Sequence, residues 1–415
     1  MKIALLILGI SVFSFSVHAR VITWAEAIEF AQKNSDDLQA AESQYKSVLE
    51  LERSGYSPFM PRVNASARGS HSGSNTTDTS SHSYSADLNL SQNLFSGFAD
   101  ASSLKIKKLN SQQALIDLNN TKARISQELK QTFAETYFAQ ENAKLSESIL
   151  KRREENLRSV QLQYEGGREN KGSFLLSQSN VELARLDILR ARNNSETTAD
   201  NFRKYLGLPQ EEVIELQTNI PQDDFSAQAP DFKELVQNHN TVMRAQNDEE
   251  ISRANLDVSR SGFSPSLDLG ANYGYTGSKF FPDQNQWGMS LTLTVPLFDG
   301  LRDYSSFQSN SYKLKASSSA LMNVRLTLLK DLKLAYFGYI EAAQEEKVND
   351  GFNRAALLRA EIARNKYKNG LLSFEDWDII ETDLIQKQKN ALTSEKNRII
   401  KQSQWEKAQA VGVLK

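Results

Sequence analysis

Few residues in this chain could do chemistry by themselves. It holds 4 His and no Cys. His71, His82 and His239 have neither an i, i+4 partner nor a nearby set of carboxylates, so no zinc or copper centre is expected. His71 and His82 fall in a Ser- and Thr-rich run, residues 69–85, that reads as a solvated outward loop. Without Cys there is no disulfide framework, thiolate metal site, thiol nucleophile or lipidated N-terminal Cys. No Gly-rich phosphate loop stands in the sequence, and no nucleophile accompanies a base, so neither an enzyme nor a cofactor is expected. What remains is an acidic segment and two short turns. Glu375, Asp376 and Asp378 follow Gly370-Leu371-Leu372-Ser373, and their plain reading is a helix start whose dipole favours acidic side chains. Tyr164-Glu165-Gly166-Gly167 and Tyr367-Lys368-Asn369-Gly370 share a Tyr-to-Gly spacing suited to helix termination. Lys105, Lys107 and Lys108 read as a solvated helix face or one near lipid headgroups, and Trp287 as an interfacial anchor or an ordinary sheet aromatic.

The elements that must carry these residues are narrow helices and alternating strands. Hydrophobic residues make up only 39% of the 415 residues and charged residues 24%, with a mean hydropathy of −0.52. That composition suits narrow apolar stripes on long helices better than wide buried faces. Lys and Arg total 49 against 51 Asp and Glu, a balance that excludes a strongly basic nucleic-acid binder. Met1 and Lys2, the apolar run 3–15 and Val17-His18-Ala19 form a signal peptide over residues 1–19. About 13 apolar residues fall short of the roughly 20 that a spanning helix needs. If the chain crosses a membrane, strands must do it.

All 8 prolines lie in three windows: Pro58 and Pro61; Pro209, Pro221 and Pro230; Pro265, Pro282 and Pro296. Residues 98–165 contain neither Gly nor Pro, which predicts a helix of about 100 Å. Leu104, Leu109, Leu115, Leu118, Ile125, Leu129, Phe133, Tyr137 and Phe138 recur there at mixed three-, four- and seven-residue intervals, the seam of packed helices. The chain also repeats itself. Ser54-Gly55-Tyr56-Ser57-Pro58 recurs as Ser261-Gly262-Phe263-Ser264-Pro265, the segment from Leu88 to Gly97 recurs from Leu291 to Gly300, and the Tyr-to-Gly turn recurs last. The spacing is half the chain, which predicts two copies of helix, strand pair and long helical hairpin. The first repeat is residues 20–208 with strands in 61–96, the crossover 209–230, and the second repeat 231–415 with strands in 266–299. A single helix over 24–54 would complete the return path begun by the last helix.

After each Ser-Gly-aromatic-Ser-Pro segment the period becomes two. Val63, Ala65 and Ala67, then Tyr84, Ala86, Leu88 and Leu90, alternate with polar residues. In the second copy Leu267, Leu269, Ala271, Tyr273 and Tyr275 do so, then Trp287, Met289, Leu291, Leu293 and Val295. A half-buried soluble sheet would alternate identically. A membrane barrel cannot end in bare edges, and the smallest closed ones have about eight strands, so four spanning strands require several copies. Three copies would give twelve; geometry allows other multiples.

Taken together these motifs resemble the TolC family of outer-membrane efflux proteins over essentially the whole mature chain. The resemblance implies a mainly α fold with a membrane β-barrel: a homotrimer, a twelve-stranded barrel in outer-membrane lipid and a long periplasmic α-helical barrel. It further implies an inner end that docks a periplasmic adaptor and an inner-membrane pump, so that the protein is a passive exit duct for efflux or type I secretion. No nucleic-acid partner is implied. Family members narrow the inner end with rings of Asp after the second helical turn. Asp376 falls on the first such position and Ile379 on the second, with Asp378 and Glu375 adjacent. The turns themselves, Tyr164, Gly167 and Arg168 with Tyr367, Gly370, Leu371 and Leu372, would form the periplasmic tip that meets the adaptor. The family's Tyr, Arg and Asp links at this end are matched only by Tyr367, because the Arg position is Leu372 and residues 169–171 carry an insertion. Arg168 and Glu169 could supply another link. The rival reading is a periplasmic coiled-coil scaffold or adaptor that never enters lipid.

Overall fold

The computed structural model describes residues 20–74, 79–217, 220 and 229–414. The expected signal peptide and part of the expected crossover lie outside them. In chain order the elements are β1 (Arg20–Thr23), α1 (Trp24–Asn34), α2 (Asp36–Ser54), β2 (Arg62–Ser74), β3 (Thr79–Phe95), α3 (Ala99–Glu165), α4 (Lys171–Leu206) and β4 (Ile214–Gln217). There follow α5 (Phe232–Gln237), α6 (Asn240–Ser261), β5 (Ser266–Gly277), β6 (Gln284–Thr294), α7 (Arg302–Lys368) and α8 (Phe374–Ala408). Two compact units form. One, the turn unit, takes its described residues from 1–36, 123–228 and 335–415; the other, the strand unit, from 37–122 and 229–334. Apart from Phe98, the stretch free of Gly and Pro is one helix of 67 residues, and α7 has the same length despite containing Gly338 and Gly351.

In the strand unit, β2, β3, β5 and β6 form one antiparallel sheet in that order. Its register stacks the apolar positions into a single face: Val63 opposes Leu90, Ala65 opposes Leu88, Leu88 opposes Tyr273, Tyr273 opposes Trp287, and Leu269 opposes Leu291. That face is bare, with Trp287 at 77%, Met289 at 72% and Leu291 at 64% exposure. The other face carries Arg62, Asn64, Arg68, Asp87, Asn89 and Asp268. Polar ties run across it, Asn93 Nδ2 donating to Asp268 Oδ1 at 2.9 Å and Gln286 Nε2 to Asp87 Oδ1 at 3.3 Å. β2 and β6 are both edges. The ladder ends at Thr294, short of the expected residue 299, because Pro296 has no N–H to donate.

Each strand pair hands over to its long helix through a two-residue left-handed elbow, Gly97 and Phe98 (φ 62° and 69°), then Gly300 and Leu301 (φ 72° and 68°). Only Gly adopts this conformation without a Cβ penalty.

The turn unit holds a feature that the sequence reading missed. β1 pairs in parallel with β4, burying Ile22, Ile214 and Leu216; four-residue strands are too short for their periodicity to stand out. Thr23 then caps α1 in a reciprocal box with Glu26. Trp24, Phe133 and Phe202 meet edge to face, with ring centroids 5.4 and 5.6 Å apart. The expected single helix over 24–54 breaks at Ser35, whose backbone is extended. Asn34 is diverted there to cap another helix: its Nδ2 donates to the Leu206 carbonyl at 3.0 Å, beside Gly207 at φ 66°.

Candidate functional site

Both long helices end in the same way. Gly167 donates to the Tyr164 carbonyl at 3.0 Å and Arg168 to that of Gln163 at 2.8 Å; Gly370 donates to Tyr367 at 2.9 Å and Leu371 to Lys366 at 2.9 Å. This is the paired closure of a Schellman motif, with the glycines at φ 70° in both copies. A side-chain cap then restarts the chain. Asn170 accepts from the Ser173 N–H at 2.9 Å to begin α4, and Ser373 accepts from the Asp376 N–H at 3.1 Å to begin α8.

Asp376 is exposed, and its Oδ2 accepts from Ser373 Oγ at 2.8 Å. The cap therefore fixes its rotamer at the start of α8. Glu375 is exposed beside it, and Ile379, one turn on, is 63% exposed. Asp378 differs. It accepts from Arg153 Nη1 at 2.7 Å and from Asn180 Nδ2 at 3.0 Å, joining α3, α4 and α8.

The opposite face of α8 is the core of the turns. Tyr367 (2% exposed) stacks on Trp377 with ring centroids 4.2 Å apart, and Phe374, Val160 and Ala363 close the cluster. Leu372 packs against it. The Tyr367 hydroxyl donates to Glu169 Oε2 at 3.4 Å. Burial, with the Glu169 carboxylate next, pushes this phenol well above its ordinary range, so it acts as a neutral donor. Glu169 thus supplies the acceptor. Arg168, Gly167, Gly370 and Leu371 (74% exposed) stand at the surface, as does Tyr164, which stacks on Phe174 at 5.5 Å.

One turn beyond Asp378, Glu381 is 1% exposed between two cations, with Arg364 Nη2 at 2.9 Å and Arg152 Nε at 3.4 Å. Burial pulls the Arg152 guanidinium below its ordinary range; Glu381 opposes this, and Arg364 and Arg153 add to it. The sequence reading missed Arg152, Arg153, Arg364 and Glu381, because each resembles a solvated helix charge until its partner helix is placed. Among the described residues no group of three or more His, Cys, Asp or Glu is placed to hold a metal ion, and no helix is long and apolar enough to cross a membrane.

Comparison with known proteins then gives concordant results. A family model described as "Outer membrane efflux protein" matches residues 27–208 and 232–408. The outer membrane protein TolC of Vibrio cholerae is 21% identical over 332 residues, covering 77% of this chain and 74% of that protein. Among solved structures, CusC superposes with a TM-score of 0.85 at 16% identity, covering 94% of this chain and 92% of that one. VceC of Vibrio cholerae gives 0.81 at 15% identity, covering 94% and 96%. The open-state MtrE channel of Neisseria gonorrhoeae gives 0.81 at 17% identity, covering 94% and 89%.

Proposed function

We propose an assembly and a gate from one premise: the chain belongs to the outer membrane efflux protein family. It is an outer-membrane exit duct, extending into the periplasm, through which substrates leave the cell. The observation that carries the assembly is the strand unit's sheet, four strands with two free edges and one bare apolar face. Lipid would cover the face, but lipid satisfies no edge, so the edges must meet those of further copies. Three copies give twelve strands, with the charged and amide face inward. Arg62, Arg68, Asp87 and Asp268 then line the barrel with equal numbers of each sign. A scaffold that stayed in water would leave Trp287, Met289 and Leu291 exposed in one patch.

In this reading residues 20–208 and 231–415 are two copies of one unit, joined by 209–230 and preceded by a signal peptide of residues 1–19. The exposed turn residues Tyr164, Gly167, Arg168, Gly370 and Leu371 offer the periplasmic surface to an adaptor, and Tyr367 and Leu372 support it from within. An inner-membrane pump supplies the energy and selects the cargo, for efflux or type I secretion. Asp376 is the constriction residue, with Glu375 beside it. Asp378 is already neutralised by Arg153 and holds the helices that carry the ring.

Two measurements test this. Unboiled protein from outer-membrane fractions is expected to migrate as a heat-labile oligomer, and a detergent-free monomer that ignores bilayers would overturn the assembly. In single-channel recordings Asp376→Asn is expected to weaken block by multivalent cations severalfold, because three copies concentrate its charge. Asp378→Asn is expected to change that block little. No effect at Asp376 would remove it from the pore, and equal effects would place Asp378 in the pore beside it.

A further inference from the structure

The residues dismissed above as loop histidines are not in a loop. β2 and β3 continue in register into the expected outward loop as far as Ser74 opposite Thr79, and His71 lies directly opposite His82. Their rings stack at 4.4 Å between centroids with 28° between planes, and both side chains are exposed. The pairing of β3 with β5 reaches only as far as Tyr84 opposite Gly277, so the two histidines stand on a two-stranded extension beyond the four-stranded sheet. Neighbouring contacts hold the two strands together there. On the same face the Tyr84 ring lies over Gly69, leaving a Cβ there only 3.3 Å of room, and Phe280 meets Tyr84 edge to face at 5.6 Å. The next pair toward the hairpin end, Ser72 and Ser81, is tied hydroxyl to hydroxyl at 3.0 Å.

We propose that His71 and His82 form a two-imidazole site for a divalent transition-metal ion, with Cu2+ bound most tightly. A neutral imidazole nitrogen is a ligand for Zn, Ni and Cu, and Cu2+ stands highest in the general order of affinity. Two nitrogens each about 2.0–2.1 Å from one ion lie roughly 3 Å apart. Rings already stacked on adjacent strands reach that separation by side-chain rotation alone. The ladder holds the second ring beside the first, so little further ordering is needed once one ring binds. Among the described residues no third protein ligand stands with the pair. The extension lies at the end of the strands away from the elbows that lead into α3 and α7. Any ion held there clamps β2 to β3 at that end.

The test is Cu2+ titration of the full chain, purified in detergent without a His tag, followed by calorimetry and electron paramagnetic resonance. The wild type is expected to take up one more Cu2+ per chain than the His71→Asn/His82→Asn double variant, with nitrogen hyperfine structure that the double variant lacks. Each single variant is expected to weaken that site by at least the roughly 10- to 100-fold that loss of even an outer partner costs a metal site. His239→Asn serves as control and is expected to bind as the wild type, because His239 Nδ1 accepts from the Thr241 N–H at the start of α6. Unchanged heat-labile migration verifies that the variants still fold. A stoichiometry and spectrum that are the same in wild type and double variant would overturn the site, whether that shared value is zero or not. The outcome does not depend on which residue lines the pore.

Discussion

Glu381→Leu is expected to destabilise the turn unit by about 3–5 kcal/mol, the cost of breaking a buried ion pair by removing one partner. Glu381 is 1% exposed and faces Arg364 Nη2 at 2.9 Å and Arg152 Nε at 3.4 Å. Leucine would fill the space and leave two guanidinium groups sharing a buried region, with Arg153 close by. Arg152 is already pulled below its ordinary range by burial, and Glu381 opposes that shift. Arg152 keeps one bond in the variant, Nη2 to Gln388 Oε1 at 2.9 Å. Amide exchange along α8 is the suitable readout, because a chain with two compact units need not unfold in one step. Replacing all three residues together, with Met for both arginines, is expected to recover most of the loss, since a buried triad can be exchanged for apolar residues at little cost. Unchanged exchange in the single variant would show that the pair is not isolated from water. Failure of the triple variant to recover would show that the charges do more than neutralise one another.

The second large effect is expected at Gly97. Its φ of 62° costs any L residue roughly 1–2 kcal/mol. A Cβ there would also stand 2.5 Å from the Ser264 Cβ and 3.1 Å from the Ser261 carbonyl oxygen. Overpacking of that kind adds about 1–3 kcal/mol, so Gly97→Ala is expected to lower the yield of heat-labile oligomer sharply. Gly300 occupies the equivalent elbow at φ 72°, but nothing lies within 4 Å of its Cβ position. Gly300→Ala therefore carries only the conformational cost and is expected to assemble at near normal yield. Equal losses in the two variants would mean that backbone conformation alone, not the approach of Ser264, sets the requirement for glycine at residue 97.

These two cases mark where sequence reading reached and where it stopped. Periodicity two in β5 and β6, the Gly- and Pro-free run of α3 and the recurring Tyr-to-Gly turns each depend on near neighbours in the chain, so the residues themselves announced them. Gly97 and Gly300 were visible as members of a repeat, yet their different surroundings depend on a distant serine. Glu381 and Arg152 belong to separate helices, and a charge on a narrow-seamed helix has no local sign of burial. His71 and His82 were misread for a related reason: Ser- and Thr-rich composition suggested a loop, whereas their facing positions follow from cross-strand register. At the turns, the inserted Glu169 was noticed, but its acceptor role toward Tyr367 required the fold.

The sheet's even strand number constrains how copies can meet. β2 and β6 run in opposite directions, so one molecule's β6 can extend another's β2 as an antiparallel neighbour with every molecule pointing the same way. Such a contact is heterologous: it joins two different surfaces and leaves an unused one at each end of a growing row. Pairing β2 with β2 about a twofold axis would instead send the helices of the two molecules to opposite sides of the bilayer. Copies joined in this way close into a ring when the rotation from each to the next completes a full turn, and otherwise run on as an open row. Any substitution that flattens the strand twist is expected to give open ribbons of unlimited length.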